Sequence, residues 1–445
     1  ALFRPRVDGL WFRGPNIAFD FRDAAYIYHE SPANRAHVFE GVRFFDSGGR
    51  YYTYLKGQKP TLYVARDRPW FLECSIEAIQ DACNSADLVR GCTLKGGNRD
   101  AASGAYAVVG CTIHDWSSDA WRAPIPALSV QYSGPAASAT VELSGGNETS
   151  NRVLTARAGG AVAGSFTIQN SEAAFTANTH YTIANVVAWL NTLAGWSATL
   201  LDDSRRASAL SLAGANPIGG AFPATDARTA PLVLVTAFDQ HSDLWALDAG
   251  SRENVLFVDN VCYDNVVQSL YVGPPGGVAD AMVLNNAFHL DEASPDFGPL
   301  LSQLQHLCSH LVVAHNSWAN QPLLLRADTT FAPDARCLIA NNVLPALQWQ
   351  GSATGAAVIA GNHLFAGASM PASATGTTVG GDAASLFTDP ASGGFTPAGA
   401  LLSGLRPPVL RHDRKGVARA VPAPAGAFAD GSGAAPAITS ANPSG

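Results

Sequence analysis

The run Phe238-Asp239-Gln240-His241-Ser242-Asp243 places one imidazole between two carboxylates. Neighbouring carboxylates favour the charged form of a histidine, which tunes it for proton transfer near neutral pH. The same residues also suit a plain turn whose polar groups satisfy one another. A second cluster, His114, Asp115, Asp119, Trp121 and Arg122, lies well upstream. If the fold joins the clusters, His241, Asp243, Asp239, Asp115 and Asp119 are the catalytic candidates. Glycoside hydrolysis needs two carboxyl groups about 5–10 Å apart. A polysaccharide lyase instead needs a base and a group that neutralises a uronate. Arg122, Arg252 or a Ca²⁺ ion could neutralise it; no other cofactor and no metal site is expected.

Flat side chains are the second carbohydrate signal, because sugar rings lay their C–H faces against them. Tyr52, Tyr54, Trp116, Trp121 and Trp245, with Arg122, are the binding candidates. Tyr51, Tyr63 and Trp70 add to the aromatic density of the first third. Large aromatics also fill cores, so each has a structural reading too.

Composition removes several function classes. A net charge of −8 argues against a surface built for nucleic acid. No apolar run approaches the length needed to span a bilayer, so membrane insertion is not expected. The sequence carries no P-loop, no dinucleotide fingerprint after a strand and no nucleophile elbow. The seven cysteines form no CxxC pair, which disfavours a zinc or redox motif. Charged residues are only 14%, and that balance suits a long core with small residues outside it.

The elements that would position these residues announce themselves as a repeat. LFVDNVCY, MVLNNAFH, LVVAHNSW, CLIANNVL and VIAGNHLF share one pattern, with Asn260, Asn286, Asn316, Asn342 and Asn362 at its centre. Their separations of 26, 30, 26 and 20 residues are too long for hairpins and suit one turn of a solenoid. VFEGVRF, FLECSI, LVRGCTL and VVGCTI continue the beat upstream, with Gly or Glu73 in the slot given to Asn. A bend between strands favours Gly or Asn, which tolerate left-handed backbone, and stacked Asn side chains can bond along the ladder. Cys74, Cys92 and Cys111 just after the slot are expected to stack inside the coil. The fold class expected is all-β, a right-handed parallel β-helix solenoid with one inserted small α+β domain. An antiparallel sandwich is the alternative, but its strands would recur faster.

The beat stops between about 134 and 230. There TVELSGGNETSNRVLTARAGG and GSFTIQN read as strands, TIANVVAWLNTLAG as a helix and WSATLLDD as a strand. The expected division is 1–133 N-terminal coils, 134–230 the insert, 231–429 C-terminal coils and closing segment, and 430–445 a flexible tail. The sequence opens without an initiator Met, so further chain upstream is expected.

The Asn- and Gly-marked coils resemble right-handed parallel β-helix proteins of the pectate-lyase-like superfamily, over about 10–130 and 230–428. Asp413, Gly416, Arg419 and Gly426-Ala427-Phe428 resemble the closing segment D-x-x-G-x-x-R…G-A-Φ of bacterial members. The His241-Ser242-Asp243 segment resembles their H-x-D segment, although Trp245 follows where Gln is usual. The insert, with GWSATLLDDSRRASAL, resembles segments of spike and fibre proteins of phage and gene-transfer-agent particles of alphaproteobacteria. The resemblance implies a homotrimeric spike outside the cell, on a phage-like particle, that binds bacterial surface (capsular) polysaccharide. It further implies contacts with other particle proteins through an upstream region. A degradative enzyme on the same rod, and a purely structural rod or adhesin, remain the alternatives, with catalysis left open.

Overall fold

The computed structural model describes residues 11–20, 26–27, 37–45, 61–63, 68–77, 81–97, 100–116, 125–145, 151–169, 182–201, 212–213, 222–236, 243–247, 250–265, 268–290, 302–305, 307–326, 330–331, 337–350, 357–404 and 407–429. The protein is dominated by β-strands in long parallel sheets. Short strands visit the sheets in rotation: Val38–Glu40 lies in the first, Arg43–Phe45 in the second and Thr61–Tyr63 in a third. The next pass repeats the order with Trp70–Leu72, Ser75–Glu77 and Asp81–Asn84. Each strand pairs in parallel with its equivalent in the following pass, as in Val38↔Trp70 and Arg43↔Ser75.

The inward side chains of the first sheet run Phe12, Phe39 and Phe71 in a stack, with ring centroids 5.0 and 5.3 Å apart. Further along, rings from three different sheets meet in the core: Trp245, Phe257, Phe288 and Trp318 stack at 5.1, 6.0 and 5.0 Å. Parallel pairing puts position i of one pass against position i of the next, which produces the phenylalanine column and the Phe288–Trp318 pair.

The bend between the first and second sheets explains the repeat. Its left-handed residue is Gly41, Glu73, Gly91, Gly110, Asp259, Asn285, His315, Asn341 or Gly361, with φ between 50° and 66°. The five repeat asparagines are therefore not at the left-handed position; they occupy the next one, level with Cys74, Cys92 and Cys111. This corrects the alignment of Asn with Gly. At the inner position an Asn does different work. The Asn286 Nδ2 donates to Asn316 Oδ1 at 2.9 Å and to the Phe257 carbonyl, and the Asn286 backbone N–H also donates to Asn316 Oδ1, at 2.9 Å. The pattern repeats from Asn260 to Asn362, so bonded amides run the length of the ladder. It passes into the cysteine stack where Asn260 Oδ1 accepts the Cys111 backbone N–H at 2.8 Å.

The thiols stack as expected, Cys92 Sγ accepting the Cys74 N–H at 3.4 Å. All seven cysteines are free and buried. Burial pushes the Cys308 thiol up to about 12 and that of Cys262 higher, whereas the neighbouring Cys92 holds Cys74 below its ordinary value. The folded protein is expected to leave all seven thiols unmodified by a thiol reagent, and denaturant to release seven. Cys74 should be the first to react when the parallel sheets open.

Between two of the passes the chain departs. Val109 and Val258 are parallel neighbours, as are Ile113 and Cys262. In between, residues 125–236 form two antiparallel sheets of four strands. Ala139–Gly145, Arg152–Ala158 and Ala161–Ile168 make the meander read from the sequence. The helix Ile183–Leu190 starts at Thr182, whose hydroxyl caps the Asn185 N–H while Asn185 returns the bond to the Thr182 N–H. Ile183, Val186 and Leu190 bury in a core that these sheets share and that is separate from the parallel core. Ile125–Tyr132 and Leu232–Thr236, the first and last described strands of the antiparallel region, pair with each other, Ile125 against Thr236.

The C-terminal segment folds back over the second sheet. Leu386, Phe387, Phe395 and Phe428 cover Val261, Ala287 and Val343. The motif residues explain the docking. Asp413 accepts from the N–H groups of Lys415, Val417 and Ala429 at 2.7–2.9 Å. Arg419 donates to Asn285 Oδ1 and to the carbonyls of Gly426, Ala427 and Phe428 at 2.9–3.3 Å. Gly426 (φ +98°) leaves no room for a side chain, since a Cβ there would lie 2.6 Å from Ser317 Oγ.

Asp259 sits under this segment, and burial raises its carboxyl above the ordinary value although an Asn285 hydrogen bond and Arg414 oppose this. A raised value means the folded protein binds the proton more tightly, so this stabilisation is complete at acid pH and is lost as pH rises through the raised value. Asn fits the left-handed position, as Asn285 and Asn341 show with φ of 55° each. Asp259→Asn is thus expected to raise the denaturation midpoint at neutral pH and to flatten its pH dependence.

Candidate functional site

The two halves of the second sheet differ on their outer face. The half beyond the antiparallel excursion presents Val261, Ala287 and Val343, which lie under the C-terminal segment. The half before it is polar and open. Parallel register sets Arg43, Ser75, Thr93 and Thr112 in one outward row. Phe45, Glu77, Lys95, His114 and Tyr263 form the row beside it. Successive side chains in a row are about 4.8 Å apart, the spacing of paired strands.

Contacts along the rows fix these side chains. Arg43 donates to Glu77 at 2.9 Å, and its guanidinium carbon lies 4.4 Å from the centre of the Phe45 ring. Ser75 Oγ donates to the other Glu77 oxygen at 3.0 Å. Burial alone would push the Glu77 carboxyl up, but Arg43, Ser75 and Lys95 outweigh it and hold the group below its ordinary value. His114 stacks on Tyr263, ring centroids 5.1 Å apart and planes within 2°. Its Nδ1 meets Asp115 Oδ2 at 3.0 Å, and Lys95 Nζ is 3.6 Å from the same oxygen.

Asp115 occupies the corner after the strand Thr112–His114, in left-handed conformation (φ +53°). Burial raises its carboxyl, but a hydrogen bond with Asp264 and the charges of His114 and Lys95 prevail, so it is held below the usual range. This carboxylate orients the imidazole through Nδ1. Among the described residues the corner offers an imidazole held by an acid, with a lysine beside that acid.

Other candidates are placed differently. Trp116 and Trp245 are wholly buried and belong to the parallel core, Trp245 donating from Nε1 to the Ala105 carbonyl at 2.9 Å. Neither presents a face to a sugar, which corrects the reading of both as binding aromatics; their size fits a core layer. Asp243 is 4% exposed and starts Asp243–Leu247 of a separate five-stranded parallel sheet, its N–H donating to Asp100 Oδ1 at 3.1 Å. Asp115 follows a strand of the second sheet, whereas Asp243 starts a strand of the five-stranded one. Arg252 lies against Tyr106, Nη1 to hydroxyl 3.0 Å. Asp239, His241, Asp119, Trp121, Arg122, Tyr52 and Tyr54 lie outside the described residues. Among the described residues no three His, Cys, Asp or Glu side chains group as metal ligands.

Sequence reading missed Arg43, Glu77, Lys95 and Tyr263. A signal for two of them was present: Glu77, Lys95 and His114 each stand three residues after a cysteine of the stack. Comparison with protein-family models, curated proteins and solved structures gave no match for the chain.

Proposed function

We propose that the parallel sheets wind as one right-handed β-helix, with the antiparallel region as an inserted unit, and that its open polar face binds a polysaccharide. The observation that carries this reading is the two-row platform of Arg43, Ser75, Thr93 and Thr112 beside Glu77, Lys95 and His114. Hydroxyl and charged groups at a fixed spacing of about 4.8 Å suit an extended polyhydroxylated chain better than a compact ligand. Contacts of this kind select by hydrogen-bond geometry, and held side chains reduce the ordering cost of binding. In this reading the rod is a spike or fibre on the outside of a phage-like particle, and the polymer is capsular or related surface polysaccharide of a bacterial host.

A second reading, lyase action on an acidic polymer, draws on His114. Asp115 orients the imidazole as a base, and Lys95 stands where a uronate carboxylate could be neutralised. Affinity electrophoresis through gels containing bacterial capsular or exopolysaccharide tests the main reading. Wild-type protein is expected to be retarded by at least one polymer, and Thr93→Glu/Lys95→Glu to lose about tenfold or more in affinity, a loss of about 1.4 kcal/mol. Identical mobility in every polymer would refute it. Appearance of unsaturated uronate with wild type, abolished in His114→Ala, would establish the lyase reading.

A further inference from the structure

The first sheet carries a second outward surface, of opposite chemistry. Before the excursion its outward row consists of Trp11, Val38, Trp70, Leu88 and Ala107 in successive strands. Beyond it the same row continues as Leu256, Met282, Val312, Leu338 and Val358. All ten positions are apolar. Trp11, Trp70, Met282 and Val358 are 62%, 41%, 42% and 58% exposed, so the row is open at both ends and in the middle. The parallel row two residues on begins Arg13, Glu40, Leu72 and Arg90, then becomes apolar at Val109, Val258 and Leu284.

Such a stripe is not needed to stabilise the coil, because the inward residues of the same strands already make the core. Left in water it is unfavourable, and monomeric proteins seldom expose contiguous apolar patches above a few hundred Å². Nine steps of about 4.8 Å give a length of about 43 Å. With two rows and their side chains about 15 Å across, the face covers roughly 650 Å², close to the roughly 800 Å² per partner of a stable interface. Among the described residues the C-terminal segment covers the outer face of the second sheet, at Val261, Ala287 and Val343, and not this row.

We propose that the apolar face of the first sheet packs against the same face of a second copy of this chain. The fit is argued from shape and register. A straight ladder repeats at one spacing along its whole length, and a second copy offers the same spacing, so rows interdigitate along the full face. Packed sheets lie about 10 Å apart, close enough to exclude water from both rows. One self-complementary face closes under a twofold axis, whereas a threefold ring needs two different surfaces on each copy. The expected assembly is therefore a dimer, unlike the trimer implied by resemblance to particle spikes. This surface is distinct from the polar platform, and the proposal stands independently of polysaccharide binding.

Sedimentation velocity of the full chain over a concentration series tests the idea, with Met282→Glu/Val358→Glu as the variant. Both side chains point outward, and circular dichroism with the thiol-protection assay verifies that the variant is folded. The wild type is expected to sediment as a dimer at micromolar concentration, and the folded variant as a monomer. A wild type that stays monomeric throughout the series overturns the proposal. So does a trimer, or a dimer that the folded variant retains.

Discussion

Replacing Asn316 with Ala is expected to destabilise the protein by about 4 kcal/mol, from roughly 1–3 kcal/mol for each buried group left without a partner. The Asn316 side chain accepts the backbone N–H and the side-chain amide of Asn286, and donates to Asn342 Oδ1 and to the Val283 carbonyl at 2.8 Å. Alanine removes all four bonds from a position with no exposed surface. Water cannot replace them in that core, so the orphaned donors carry their full desolvation cost. Asn316→Asp should fare little better, since a carboxylate cannot donate to Val283 or Asn342. Chemical denaturation measures the effect; a loss below about 1 kcal/mol, the net worth of one ordinary hydrogen bond, would show that the ladder is not a principal tie between passes.

Arg419→Ala is the second large effect, expected at about 3–5 kcal/mol, the range for breaking a buried charged network by removing one member. Four acceptors lose their donor: Asn285 Oδ1 and the carbonyls of Gly426, Ala427 and Phe428. Burial lowers the Arg419 value to about 10, which still leaves it charged at neutral pH. The loss should be local first. The C-terminal segment should undock from Val261 and Val343 and become a protease target while the parallel sheets stay folded. Arg419→Lys should rescue little, since one ammonium cannot reach four planar acceptors. Limited proteolysis of the two variants measures this, and an unchanged cleavage rate in Arg419→Ala would show that the segment is held by its apolar contacts alone.

Much of this architecture was legible because parallel strands repeat side-chain types at fixed register. The asparagine spacing gave the length of each pass, and the cysteines marked the inner column of the first half. The error of one residue between Asn and Gly has a physical source. Left-handed corners are filled here by Gly41, Glu73, Asp259, Asn285 and His315 alike, so no residue type marks that position, and the asparagines beside it drew the eye. The site was less legible. Arg43, Glu77, Lys95 and His114 are far apart in sequence and unremarkable singly; register alone makes them a platform. Trp116 and Trp245 misled for the opposite reason, because an aromatic residue reads the same whether it fills a core or faces a ligand.

The central claim is that one continuous coil runs past the excursion, with Cys111 handing its column to Asn260 and Ile113 pairing with Cys262. Ile125 and Thr236 are strand partners, so a short Gly-Ser linker can replace residues 125–236 without stretching the chain. The decisive measurement is the rate at which a thiol reagent modifies Cys111 and Cys262 in that shortened protein. Protection equal to that of the intact chain is the result expected if the passes on either side hold each other. Rapid modification of both thiols would mean that the antiparallel region holds those passes together, and that the coil is not continuous.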